Sequence, residues 1–330
     1  MKLNRIAVSV IGVLAVLTQI QSQAVPTSFD IRDDIKGLED TSGLPSYTPI
    51  PDPHADRSYV HFYNLAETSL FKKEHELHGL PPLPFLTQEE AYQEAARLTA
   101  LLKKTVPNAL TYSAERNKKW VQLAQDEMDR KGPPVKRAQL LIVVDRNPKV
   151  QELCFVLAFP KGQGEWKALG GGKVSTGNTG RKLYYITPTG VFYNTVERIG
   201  YRALGTKNKN GIRGNGIKGM RVWDFGWQWA EKGWLPNREK GQIRLEMHAT
   251  DPDYLEQRLG KPASEGCVRL ATKMNEFIDH NGIIDALYTQ AAHKDKRFSS
   301  VLSKKIRFTP LAGDKLVVVD SSHSADSQRS

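Results

Sequence analysis

Cys267 lies in the run Ser264-Glu265-Gly266-Cys267-Val268-Arg269, and fifteen residues separate Ser264 from His248 upstream. A thiol in a small-residue turn, an imidazole at strand-to-loop distance and an arginine two residues on are the parts of an activated cysteine nucleophile. The thiolate attacks, the imidazole takes its proton, and N–H groups of the turn hold a developing oxyanion. Peptide bonds resist attack, so such a site gains from a pre-formed thiolate. Gly266 removes the Cβ that would crowd an approaching carbonyl. Arg269 offers a two-pronged fork suited to a carboxylate, or it pins the loop. Glu265 opposes a neighbouring thiolate unless Arg269 or a cationic substrate compensates it. It could equally attract a cationic group.

Other groups in the chain carry weaker chemical signals. His75 and His78 lack the spacing of a zinc-peptidase helix and a third ligand. Gly170-Gly171-Gly172-Lys173 is followed by Val174 rather than Ser or Thr, so it is no phosphate loop. The run from Gly211 through Gly214 and Gly216 to Gly219 lacks the strand–glycine–helix context of a nucleotide site and reads as a mobile loop beside a cleft. Trp223, Phe225, Trp227, Trp229 and Trp234 crowd the segment before the histidine. They stack on sugar rings or fill core and loop contacts. The sequence implies no metal and no organic cofactor.

These residues need a compartment and a scaffold. Lys2 and Arg5 precede an apolar run from Ile6 to Leu17, and Ser22-Gln23-Ala24 ends in small residues. This is the pattern of a signal peptide over 1–24, and the run is shorter than the roughly twenty residues of a membrane span. The expectation is an exported, periplasmic protein, soluble or loosely surface-associated. Its net charge of +11 favours anionic surfaces such as wall polymer. That charge is dispersed, and export argues against a nucleic-acid partner. The chain has two cysteines, Cys154 and Cys267. They either pair as one disulfide or stay free, and a free thiol in an oxidising space points to chemistry. Cys154 sits in an unbroken apolar run that reads as a strand buried on both faces.

Residues 25–58, rich in Pro, Asp, Ser and Gly, read as an extended linker. A helical accessory module is expected over 59–137. Thr87 and Glu90 form a capping box for a helix near 88–104, and Ser113 caps a second that Gly132-Pro133-Pro134 stops. Strand candidates follow at Gln139–Asp145, Val150–Phe159, Trp166–Ser175, Gly190–Val196 and Gln242–His248, with a helix near Thr272–His280 and a last strand at Lys315–Val319. The fold class is mostly β with attached helices (α+β). A catalytic domain is placed at 138–290, and a C-terminal extension with a terminal strand and disordered tail at 291–330.

Val174-Ser175-Thr176-Gly177, then Thr187-Pro188-Thr189-Gly190-Val191-Phe192, then His248 and Ser264-x-Gly266-Cys267-x-Arg269 resemble the L,D-transpeptidase (YkuD-type) catalytic domain. The resemblance covers roughly 138–285. It implies a β-sandwich-like catalytic domain that cross-links peptidoglycan. Cys267 would attack the L,D bond of a donor tetrapeptide stem, expel D-alanine, and pass the acyl group from a thioester to an amine of a second stem or a wall-linked protein. The same resemblance makes His248 the base, oriented by the Ala249 carbonyl. Amides of Glu265, Gly266 and Cys267 would line the oxyanion hole, Ser264 would shape the turn, and Arg269 would support the site or the donor carboxylate. Most members carry histidine where this chain has Glu265, which leaves the acceptor open. Water meeting the same thioester would give an L,D-carboxypeptidase or wall-protein amidase, and a dead site would leave a wall-binding scaffold.

Overall fold

The computed structural model describes residues 82–177 and 179–323. Residues 1–24 and 25–58, with His75 and His78, lie outside that range. Helix α1 (Gln88–Thr105) begins at Thr87. The Thr87 hydroxyl accepts from the Glu90 amide at 3.3 Å, and the Glu90 carboxylate accepts from the Thr87 amide at 2.8 Å. Helix α2 (Ala114–Lys131) is capped by Ser113 and stops at Gly132. Strands follow as β1 (Gln139–Asp145), β2 (Glu152–Ala158), β3 (Lys167–Ser175), β4 (Tyr185–Ile186), β5 (Gly190–Tyr193), β6 (Tyr201–Arg202), β7 (Arg221–Lys232), β8 (Lys240–Ala249) and β9 (Val268–Leu270). Then come α3 (Thr272–Asn281), α4 (Ala286–Ala291), α5 (Lys296–Val301) and β10 (Lys315–Val319). The architecture is mixed α and β, with few helices around one large sheet of order β4-β7-β8-β9-β3-β2-β1-β10-β5, and β6 beside β7.

Strands β1 and β2 are apolar at every step because both faces of the sheet are covered there. Leu140, Ile142, Val144, Leu153, Phe155 and Leu157 point to the face covered by Ala91, Ala95, Leu98 and Leu102 of α1 and by Phe277 of α3. Leu141, Val143, Cys154, Val156 and Val317 point to the other face, against Trp120, Ala124 and Met128 of α2. Period-2 alternation sorts one continuous apolar run into two cores. Core packing therefore crosses the boundary drawn at 137 and 138. Strand β10 lies between β1 and β5, parallel to β1 and antiparallel to β5, so the segment after 290 supplies part of the sheet. Gly171 permits a close crossing, exchanging backbone bonds of 2.8 and 3.0 Å with Leu110, and a Cβ there would lie 1.8 Å from the Leu153 carbonyl oxygen.

The aromatic segment before the histidine, expected to stack on sugar rings or to fill core and loop contacts, was not among the strand candidates. It is strand β7, paired with β8 from Val222↔His248 to Glu231↔Lys240. A bulge between Asp224 and Trp227 breaks its alternation. Trp223 and Phe225 are fully buried in the core, whereas Trp227 is partly exposed and Trp234 packs edge-on to Tyr185 at 5.0 Å.

Candidate active site

Strands β8 and β9 run parallel with Met247↔Val268, His248↔Arg269 and Ala249↔Leu270 in register. Alternation then fixes which side chains share a face. Leu245, Met247, Val268 and Leu270 enter the core. Arg244, Glu246 and His248 of β8 share the opposite face with Arg269 and with Cys267 at the entry to β9. The crossover from 250 to 267 thus returns the thiol alongside the strand that carries the imidazole. The Cys267 Sγ–H lies 3.7 Å from the Arg244 carbonyl oxygen.

Buried hydroxyls set the turn that presents the thiol. Ser264, fully buried, donates to the Cys267 carbonyl at 2.6 Å and accepts from the Gly266 amide at 3.2 Å. Gly266 has φ +139°, and a Cβ there would stand 2.6 Å from Ile243 Cδ1. The Thr187 hydroxyl donates to the Gly266 carbonyl at 2.7 Å and accepts from the Gly177 amide at 2.8 Å. The Tyr185 amide donates to the Glu265 carbonyl at 3.1 Å, and Gly177 bridges Ser264. Three separated sequence blocks, 174–177, 187–192 and 264–269, therefore meet at one place. The Gly266 amide, expected in an oxyanion hole, is instead turned back onto Ser264.

His248 is buried, and its Nδ1 lies 2.6 Å from the Ala249 carbonyl oxygen. A carbonyl only accepts, so the proton sits on Nδ1 and Nε2 keeps its lone pair. Burial, aided by the Arg269 charge, lowers the imidazole to about 4, while the Ala249 bond works the other way. Burial and then the Glu246 carboxylate push the Cys267 thiol up to about 12. A hydrogen bond from the Glu246 backbone and the Arg269 charge offset part of that rise, and Glu265 adds to it. The resting pair is neutral at pH 7, not the pre-formed thiolate expected from the sequence. Desolvation penalises both charged partners more than the single nearby arginine rewards the anion.

Sequence reasoning missed the polar groups on either side of the thiol. Glu246 faces Cys267, and its two oxygens accept from the Tyr201 hydroxyl of β6 at 3.2 and 3.3 Å. Asn215 donates to that hydroxyl at 3.1 Å. Asp224, the register partner of Glu246 on β7, takes the Arg244 guanidinium at 2.5 and 3.0 Å and the Gly226 amide at 2.8 Å. Arg244 is left 3.8 Å from Glu246. Burial first, then the Asp224 charge, raise Glu246 to about 7. Polar residues at 244, 246 and 248, alternating with Ile243, Leu245 and Met247, were the available signal.

Arg269 donates to the Ala263 carbonyl at 3.3 Å, and its Nε makes no hydrogen bond among the described residues. It both pins the loop and charges the site. The Glu265 carboxylate hydrogen-bonds Tyr184 and, after burial, is the next cause of that phenol's raised pKa. The glycine run of 211–219, expected to be mobile, is tied at several points. The Arg213 amide donates to Asp251 at 2.8 Å, its guanidinium pairs with Asp253 at 3.0 Å, and Gly219 donates to the Ala203 carbonyl at 2.8 Å. Cys154 is buried and both cysteines are free, with burial pushing the Cys154 thiol up to about 12. Among the described residues no cluster of His, Cys, Asp or Glu could hold a metal ion, and no helix is long and apolar enough to cross a membrane. Compared with models of known protein families and with curated proteins, the chain matches none.

Proposed function

We propose that this chain is an exported peptidoglycan L,D-transpeptidase with a YkuD-type catalytic domain. One observation carries the reading. Parallel pairing of β8 and β9 sets Cys267 on the face that holds His248, whose Nδ1 is fixed on Ala249. A thiol on the same face as an imidazole whose Nε2 keeps its lone pair suits acyl transfer through a thioester.

Cys267 Sγ attacks the carbonyl of the L,D bond in a donor tetrapeptide as His248 Nε2 takes the thiol proton. Because both groups rest neutral, proton transfer and attack are coupled, and negative charge appears on the substrate carbonyl oxygen as His248 takes the proton. The imidazolium returns the proton to the departing D-alanine amine. An amine then attacks the thioester, the tripeptidyl group leaves Cys267, and a cross-link forms. The test is mass spectrometry of muropeptides after incubation with disaccharide-tetrapeptide, with Cys267→Ala as control. Loss of D-alanine with cross-linked dimers, absent from the control, is expected. Tripeptide alone would move the assignment to hydrolysis, and untouched substrate in both samples would remove the reading.

A further inference from the structure

Glu246 is a carboxyl group beside a nucleophile with an incomplete charge balance. Its near partner is the neutral Tyr201 hydroxyl. Arg244 reaches it only at 3.8 Å, because that guanidinium is committed to Asp224. Asp224, by contrast, is satisfied by Arg244 and the Gly226 amide. The Glu246 side chain keeps 13% of its surface exposed, so a small group can reach it. The groups that share its face are Asp224 from β7, Tyr201 from β6, Arg244 and His248 from its own strand, Arg269 from β9 and Cys267 from the turn. Asp224 takes the guanidinium nearest Glu246, so among the described residues no cation meets Glu246 at hydrogen-bond distance.

We propose that Glu246 binds the cationic acceptor amine and takes one of its protons as that amine attacks the Cys267 thioester. This role rests on the transpeptidase reading and names the acceptor class: a primary ammonium, as on the side chain of a diamino acid. The amine enters as R–NH3+ and loses two protons as the amide forms. One passes to the Glu246 carboxylate, the other through His248 to the departing sulfur. The C–N bond forms, the C–S bond breaks, and Glu246 later releases its proton to solvent. Such a carboxylate serves as a base near neutral pH because burial and Asp224 hold its pKa about 7.

The experiment separates the half-reactions in the full chain. Acyl-enzyme made from disaccharide-tetrapeptide is followed by intact mass, then challenged with Nα-acetyl-lysine or with hydroxylamine, which is already neutral at pH 7. In Glu246→Gln, acylation at pH 8 should speed up, since the carboxylate opposing thiolate charge is gone. Consumption by Nα-acetyl-lysine should fall about 100-fold, the scale of general-base catalysis. Hydroxylamine should react within a few-fold of the wild-type rate. The wild-type lysine rate should rise with pH through an inflection near 7 that the variant lacks. Tyr201→Phe, which removes the hydrogen bond holding the carboxylate, should move that inflection upward. Equal slowing with both amines would mark a structural role and overturn the proposal, as would unchanged lysine consumption. A wild-type protein that never acylates would remove the transpeptidase reading and this role together. Failure confined to the amine ratio removes only the role of Glu246.

Discussion

Thr187→Val takes one oxygen from behind the nucleophile turn and leaves the side-chain shape almost unchanged. That hydroxyl is fully buried and holds two backbone groups at once, the Gly266 carbonyl at 2.7 Å and the Gly177 amide at 2.8 Å. Valine leaves both without a partner away from water, and each orphan costs about 1–3 kcal/mol. The sum is about 2–6 kcal/mol. For a large chain each kcal/mol shifts Tm by about 2–4 °C, so a fall of about 4–24 °C is expected in a calorimetric scan. The same change frees the turn, so donor acylation should drop while alkylation of Cys267 by iodoacetamide rises. A loss under about 1 kcal/mol with unchanged alkylation would mean that Thr187 does not hold the turn.

A neutral thiol near 12 predicts that Cys267 alkylation rises about tenfold per pH unit through pH 9 without levelling off, because the thiolate fraction grows with pH until the pKa is reached. A plateau at pH 6 to 7 would show a thiolate–imidazolium pair instead. Asp285→Ala strips Arg221 of its only carboxylate partner among the described residues, at 3.4 Å with both side chains fully buried. Urea unfolding should show a loss of about 3–5 kcal/mol. Trp120→Ala opens a cavity under α2 and should cost about 3–5 kcal/mol by the same measurement. Cys267 reactivity should stay at the wild-type level, because α2 packs chiefly on β2, β3, β5 and β10 rather than on β8 and β9, which carry the site.

Much of the scaffold is legible in local pattern. The capping box at Thr87 and the apolar runs at 139–145 and 315–319 each rest on residues close in sequence, and local chemistry decides them. Strand β7 escapes because Asp224, Gly226 and the bulge interrupt the alternation that would reveal it. Two short helices at 286–301 also escape, having too few turns to show a period. At the site, Cys267, His248, Ser264, Gly266 and Arg269 stand out by type and spacing. Glu246 is visible in the alternation of its strand, but its meaning depends on Asp224 and Tyr201, which only the register of β7 and β6 brings to it. The protonation state is equally hidden, because it follows from burial that no spacing reveals.

The place of β10 sets a clock on the molecule. Strand β5 is an edge whose ladder partner is β10, and β1 finds its second neighbour in the same strand. A chain emerging from its N-terminus has made the helices, the histidine and the thiol before Val317 arrives to fill the gap. Until then the second ladder edge of β1 is unpaired and the α2 core lacks Val317 and Val319. Non-local pairing of this kind is slow and comes late. Among the described strands β10 is the last to be made, so the sheet closes only after every other strand is in hand.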